Sequence, residues 1–299
     1  MTDAVSIQLP AFKSESGRAR FMSAYDAVLQ GWPVSFDELD VPTRLGPTHV
    51  VASGPPDAPA LVLLPSFAGT ATAWRLNIEA LSRHYRTYAV DVIGQPGKSV
   101  ATQRIRNRHQ LADWLSDVLD GLKVERASIV GCSFGAFLAL NQAALTPARV
   151  ERVVLISPAG TFASQFWKLV YAMMIKGTIR KLARRLSKRG PAPSMADLGM
   201  MPRDSLWAAL MATIMAEAPK VAIVSPAVLP DAELRAIRAP ALLLIGDHER
   251  LYEPRAMLKL ARRRMPQLQA ELVKDADHIA AMAQPEEVNE RILRFLQQT

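Results

Sequence analysis

Ile129-Val130-Gly131-Cys132-Ser133-Phe134-Gly135-Ala136 sits where an apolar, β-branched run gives way to a helical one. Residues 127–131 read as a strand and residues 134–144 as a helix, so a Gly-x-Ser-x-Gly sequence occupies a strand-to-helix turn. A serine hydroxyl is a poor nucleophile unless it is lifted out of the backbone and set beside a base, and a sharp turn does the lifting. Small residues at 131 and 135 let neighbouring backbone approach such a turn. The helix that follows offers its first N–H groups, that of Phe134 included, to negative charge developing nearby. An ordinary βα turn could carry the same five letters; the strand before and the helix after set this one apart.

Working outward, short apolar runs alternate with longer amphipathic segments. Strands are expected at residues 48–52, 61–64, 87–92, 127–131, 150–156, 241–245 and 268–273. Helices are expected at 19–30, 73–84, 108–122, 134–144, 254–265 and 286–296. Parallel strands need crossover connections, so this alternation predicts a mostly parallel sheet flanked by helices. The remainder of the first 45 residues reads as a loop containing Pro and Asp. Between residues 162 and 229 only helical or loop character is visible, an all-helical insertion in one α/β core.

A base must follow the serine. Of His49, His84, His109, His248 and His278, the last lies in Lys274-Asp275-Ala276-Asp277-His278, between the final strand and the final helix. That places it in a loop at the carboxyl edge of the sheet, the edge that also carries the serine turn. The preceding strand exits into Gly246-Asp247-His248-Glu249. Asp247 and Glu249 both qualify by chemistry to hold an imidazole in one tautomer and stabilise its protonated form. Glu253 is more simply a helix-end acid.

These residues resemble the α/β-hydrolase superfamily, in which the order along the chain is nucleophile, acid, histidine. The resemblance runs from residue 48 to the C-terminus, with a helical lid inserted after the sixth strand of the core. It implies a hydrolase core over residues 1–160 and 230–299, with an N-terminal helical extension over about 1–45 and a lid over 161–229. In many members the acid stands three residues after the glycine that ends the strand. That favours Glu249 and leaves Asp247 in reserve. Members often carry His-Gly-x after the third strand, where this chain has Leu64-Pro65-Ser66-Phe67-Ala68-Gly69. By position the oxyanion donors are the N–H groups of Phe67 and Phe134. Asp91-Val92-Ile93-Gly94-Gln95-Pro96-Gly97-Lys98-Ser99 resembles a loop of the superfamily that bears on the fold and not on the chemistry. Cys132, in the variable position of the turn, reads as a small buried filler.

The resemblance implies a carboxylesterase-like serine hydrolase that cleaves esters through an acyl-serine and needs no metal or organic cofactor. Lactonases, carbon–carbon bond hydrolases and cofactor-free haloperoxidases share the constellation. Serine where dehalogenases and epoxide hydrolases carry aspartate argues against those branches. The rival from outside enzymology is a ligand-binding protein on an idle hydrolase fold.

Composition sets bounds on the rest. The 299 residues are 49% hydrophobic and 21% charged, in the ordinary globular range. The net charge of +8 is not gathered into basic runs interleaved with aromatics, so no nucleic-acid partner is expected. Much of the excess lies in residues 168–189, where eight Lys and Arg stand without an acid. This segment reads as a lid helix with a solvated basic face, or more sharply as a site for anionic substrates or lipid surfaces. Phe166 and Trp207 are pocket candidates. Seven of the twelve methionines fall in the insertion and suit an adaptable apolar roof, ordinary core packing or a homodimer contact. A single cysteine, with no signal-peptide pattern and no run long enough to span a membrane, fits a cytoplasmic protein; the resemblance implies a small ester or lactone as its substrate.

Overall fold

A computed structural model describes residues 12–163, 205–218 and 224–298. Eight strands form one sheet in the order β1-β2-β4-β3-β5-β6-β7-β8. They are β1 (Phe36–Val41), β2 (Thr48–Ser53), β3 (Ala60–Leu64), β4 (Arg86–Val90), β5 (Ala127–Cys132), β6 (Val150–Ile156), β7 (Ala241–Gly246) and β8 (Gln269–Val273). β2 pairs antiparallel with β1 and β4, and the other neighbours are parallel. The expected mostly parallel α/β sheet is therefore present.

Side chains of a strand point alternately to opposite faces, and here both faces are buried. Val62 and Leu64, Ile129, and Leu243 and Ile245 join the core on one side. Leu61 and Leu63, Val130, and Leu242 and Leu244 join the core on the other. Each such side chain contributes about 1.5–3 kcal/mol on burial. The first face is covered by α3 (Arg108–Gly121) and α4 (Phe134–Leu145). Leu111, Trp114, Leu115, Val118 and Leu119 give α3 its buried stripe, and the Asn107 side chain caps its first N–H groups.

The opposite face is covered by α1 (Glu15–Gln30), the short α2 (Ile78–Ser82), α5 (Ser205–Glu217) and, near the C-terminus, α8 (Ala280–Ala283) and α9 (Pro285–Leu296). Between α5 and α8 lie α6 (Asp231–Ala236) and α7 (Pro254–Arg264). Helix α1 starts four residues earlier than its periodicity indicates because Ser14 caps it, accepting from the Gly17 N–H. It lies on α5, tied by the Arg20–Glu217 ion pair at 2.7 Å and by Lys13 Nζ donating to the Ala216 carbonyl.

Two expectations need correction. The loop expected before residue 45 contains β1, an edge strand whose Asp37, Glu38 and Asp40 disguise its alternation. The single helix expected over residues 73–84 is a 3₁₀ turn at Ala71–Trp74 followed by α2. Of the insertion only residues 161–163, 205–218 (with α5) and 224–229 fall among the described residues; the basic run 168–189 and Phe166 lie outside them.

Candidate active site

The strand-to-helix turn comes first. Ser133 holds φ 52° and ψ −106°, a conformation that costs a non-glycine residue of order 1–3 kcal/mol and persists only where its surroundings impose it. Its N–H donates to the Ile156 carbonyl (2.8 Å), and its own carbonyl accepts from the Phe137 and Ala159 N–H groups. A Cβ at position 131 would overlap the Gly135 carbonyl oxygen, and one at 135 would overlap the Leu64 carbonyl oxygen. Both glycines are thus required by close backbone approach.

The partner loops are brought together by similar means. β7 and β8 are parallel neighbours, so their exits lie side by side. The Asp247 N–H donates to the Val273 carbonyl (3.0 Å) and the His248 N–H to the Ala276 carbonyl (2.9 Å), lacing the two exit loops. A Cβ on Gly246 would overlap the Ala276 carbonyl, so this lacing also needs glycine. A turn closed by the Glu249 N–H and the Gly246 carbonyl then aims Glu249 at His278.

The result is a hydrogen-bonded chain of three side chains. Glu249 Oε2 lies 2.6 Å from His278 Nδ1, and His278 Nε2 lies 3.0 Å from Ser133 Oγ. Ser133, Glu249 and His278 are all buried. Glu249 Oε1 accepts from the Arg250 and Leu251 N–H groups, each at 2.8 Å. Burial alone would raise the Glu249 pKa. The charge and hydrogen bond of His278, with the two backbone donors, outweigh it and hold the carboxyl below its ordinary value. An ionised carboxylate only accepts, so His278 Nδ1 carries the proton and Nε2 is left to accept from the Ser133 hydroxyl. This arrangement can deprotonate the serine as it attacks.

Asp247 does not join the chain. Its nearest titratable neighbour is His248, at 3.9 Å, and its side chain is one-third exposed. Cys132 is buried, and burial first, then the charges of Glu249 and Asp277, push its thiol up to about 12. It holds no thiolate near neutral pH.

The loop after β3 faces the serine turn. The Phe67 ring meets the Phe134 ring edge-on at 6.4 Å, and Phe134 opens α4 with its N–H at the free helix end. Among the described residues neither the Phe67 nor the Phe134 N–H donates to a protein acceptor. Beside them an apolar cavity of about 20 Å³ is bordered by Ser66, Trp74, Cys132, Trp207, Ile279 and Met282. Trp207, a pocket candidate from the sequence, borders this cavity. A larger surface hollow at Pro42, Arg44 and Asp117 contains no member of the Ser–His–Glu chain.

Residues 61–291 match the model of the alpha/beta hydrolase family. The chain belongs to that family.

Within the alpha/beta hydrolase family it is similar to carboxylesterase YbfK of Bacillus subtilis (strain 168), at 38% identity over 94% of this chain and 95% of that protein. It is 35% identical to the uncharacterized carboxylesterase nap of the same strain, over 92% of each chain. The crystal structure of naproxen esterase (carboxylesterase NP) from Bacillus subtilis superposes with a TM-score of 0.82. That match covers 95% of this chain and all of that one at 33% identity.

Sequence reasoning missed the part of this alpha/beta hydrolase site that the loop after β4 supplies. Asp91 Oδ1 accepts from the Ala71 N–H at 2.7 Å, and Gln95 Oε1 accepts from the Ala68 N–H at 3.1 Å. The segment read as bearing only on the fold therefore grips the loop that carries Phe67. The signal available was a buried-type acid and amide between two glycines, which a motif comparison passes over. Among the described residues no cluster of His, Cys, Asp and Glu could hold a metal ion, and no helix is long and apolar enough to cross a membrane.

Proposed function

We propose that this carboxylic ester hydrolase works through an acyl-serine at Ser133, with His278 as base and Glu249 as the acid that orients it. The reading is carried by one observation, the unbroken hydrogen-bonded path from Glu249 through His278 to Ser133.

In the first half-reaction Ser133 Oγ attacks the ester carbonyl carbon, and His278 Nε2 takes the hydroxyl proton. Charge collects on the former carbonyl oxygen, where the Phe67 and Phe134 N–H groups stabilise it. Collapse breaks the carbon–oxygen bond to the alcohol, which leaves with the proton from His278. In the second half-reaction water attacks the acyl-serine, gives its proton to His278, and releases the carboxylic acid as Ser133 recovers its own. Glu249 remains ionised throughout and stabilises the imidazolium. No step calls on a metal or organic cofactor.

The partner in this reading is a small ester, with a lactone as an intramolecular version of the same bond. In this reading the insertion over residues 161–229 is the lid of the hydrolase, most of it outside the described residues, and Trp207 in its described part lines the acyl side. Cys132, buried and unpaired with another thiol, fits a cytoplasmic setting.

Labelling with a fluorophosphonate, paired with hydrolysis of p-nitrophenyl esters of graded acyl length, tests the assignment. The native chain is expected to take one label, and Ser133→Ala is expected to take none and to lose ester turnover. Equal turnover by the two proteins would refute it.

A further inference from the structure

Resting on the oxyanion role of Phe67 proposed above, we infer that Gln95 is a positioning residue for the oxyanion hole. Its side-chain oxygen holds the Phe67 loop in the one turn conformation that serves the reaction.

Ser66 to Gly69 is a four-residue turn closed by the Gly69 N–H donating to the Ser66 carbonyl at 2.9 Å. Ala68, its third residue, sits at φ 57°, while Phe67 is absent from the residues of positive φ. A positive φ at the third position alone defines the type II turn, which glycine or asparagine usually occupies. Alanine there is strained, because its Cβ crowds the backbone. The commoner type I turn differs mainly by turning over the central peptide, here Phe67–Ala68, which would give Ala68 an unstrained negative φ. Left to itself, a Ser-Phe-Ala-Gly turn should relax that way.

Gln95 opposes the relaxation. Its Oε1 accepts from the Ala68 N–H at 3.1 Å, and both residues are buried. Turning the peptide over would point this N–H away and leave a buried donor and a buried acceptor unpaired, a cost that exceeds the value of an ordinary hydrogen bond. Gln95 is itself fixed, because its N–H donates to the Val92 carbonyl and closes a turn with Gly94 at φ 77°. Two residues past the strained turn, Asp91 Oδ1 takes the Ala71 N–H and Asp91 Oδ2 takes the Lys98 N–H, both at 2.7 Å. The loop after β4 thus holds the oxyanion loop at two points, and only the Gln95 point touches the strained peptide. Phe67 forms the near side of that peptide, so turning it over would change Phe67 ψ, swing the Phe67 carbonyl and shift the loop that carries the Phe67 N–H and seats its ring against Phe134.

The experiment compares Gln95→Met, which fills the space without an acceptor, with Gln95→Asn, which withdraws the amide, and Gln95→Glu, which keeps an oxygen within reach. Steady-state hydrolysis of p-nitrophenyl acetate is read beside inhibition by a butylboronic acid, whose tetrahedral serine adduct places an oxygen in the hole. Gln95→Met and Gln95→Asn are expected to lose about 10- to 100-fold in kcat with KM changed little, and boronate affinity by a similar factor, less than removal of a donor outright. Gln95→Glu should keep most of both. Adding Ala68→Gly to Gln95→Met should restore kcat in part, since glycine holds a positive φ without assistance, a rescue that a merely structural role for Gln95 would not produce. If Gln95→Met or Gln95→Asn folds and retains the parent kcat and boronate affinity while Ser133→Ala is inactive, the Gln95 inference is wrong and the hydrolase reading survives. If Ser133→Ala hydrolyses the ester like the parent, the hydrolase reading falls and this inference with it.

Discussion

The Glu249 and His278 side chains meet at 2.6 Å with no solvent-exposed surface on either. A buried charge is costly unless its partners compensate it, and here the compensation is complete: one carboxylate oxygen on the imidazole, the other on two backbone N–H groups. The same isolation lets the carboxylate act on the imidazole without screening by water.

From this pairing, Glu249→Gln should leave the fold in place and lower kcat/KM by about four orders of magnitude, because an amide can present its N–H to Nδ1 and select the wrong tautomer. Asp247→Asn should stay within a few-fold of the parent. Steady-state kinetics on one aryl ester separates the two acids. A larger loss from Asp247→Asn would contradict the geometry.

Cys132 stands next to Ser133, the proposed nucleophile, yet should be inert. With its thiol pushed up to about 12 and buried, iodoacetamide should neither modify the native protein at neutral pH nor slow it. Cys132→Ala should hydrolyse esters within a few-fold of the parent. Intact mass after alkylation, with residual activity, checks both.

Gly131→Ala should destabilise more than its single methyl suggests, because the added Cβ meets the Gly135 backbone and not a movable side chain. A loss of about 1–3 kcal/mol or more is expected from such overpacking, with activity falling as Ser133 shifts. Urea unfolding and ester turnover on the same preparation measure it.

A second cluster, around the buried His49 and Asp91 and the exposed Glu38, predicts a pH-dependent stability. His49 Nε2 lies 2.8 Å from Glu38 Oε1, and Nδ1 lies 3.4 Å from Asp91 Oδ2. Burial lowers the His49 pKa, but the Asp91 and Glu38 contacts outweigh it, so the folded value is above the unfolded value of about 6.5. The native state then binds the proton more tightly. This stabilisation is fully present below the unfolded pKa and is lost as pH rises through the folded one. Unfolding midpoints from pH 5 upward should fall more for the parent than for His49→Gln across that window.

Much of the site was legible because its chemistry sits at strand exits. Residues 150–156 alternate no charge into their apolar end, and the Gly-x-Ser-x-Gly junction and the Asp-His after the last strand mark one sheet edge without coordinates. The choice between Asp247 and Glu249 was not legible from chemistry, since both are carboxylates two residues apart. It is decided by a turn and by the lacing of Asp247 and His248 to the β8 exit, which are long-range backbone contacts. β1 was hidden because an edge strand tolerates acids, and Asp37, Glu38 and Asp40 place them on both of its faces. Gln95 was hidden because its importance comes from the strain of Ala68, and strain has no letter.

Rapid quenching of the enzyme with p-nitrophenyl acetate, followed by peptide mass mapping, tests the central claim most directly. An acetyl group on Ser133 that disappears on the timescale of turnover is the predicted result. Turnover with no acyl adduct on Ser133, or with the adduct formed on another residue, would contradict it.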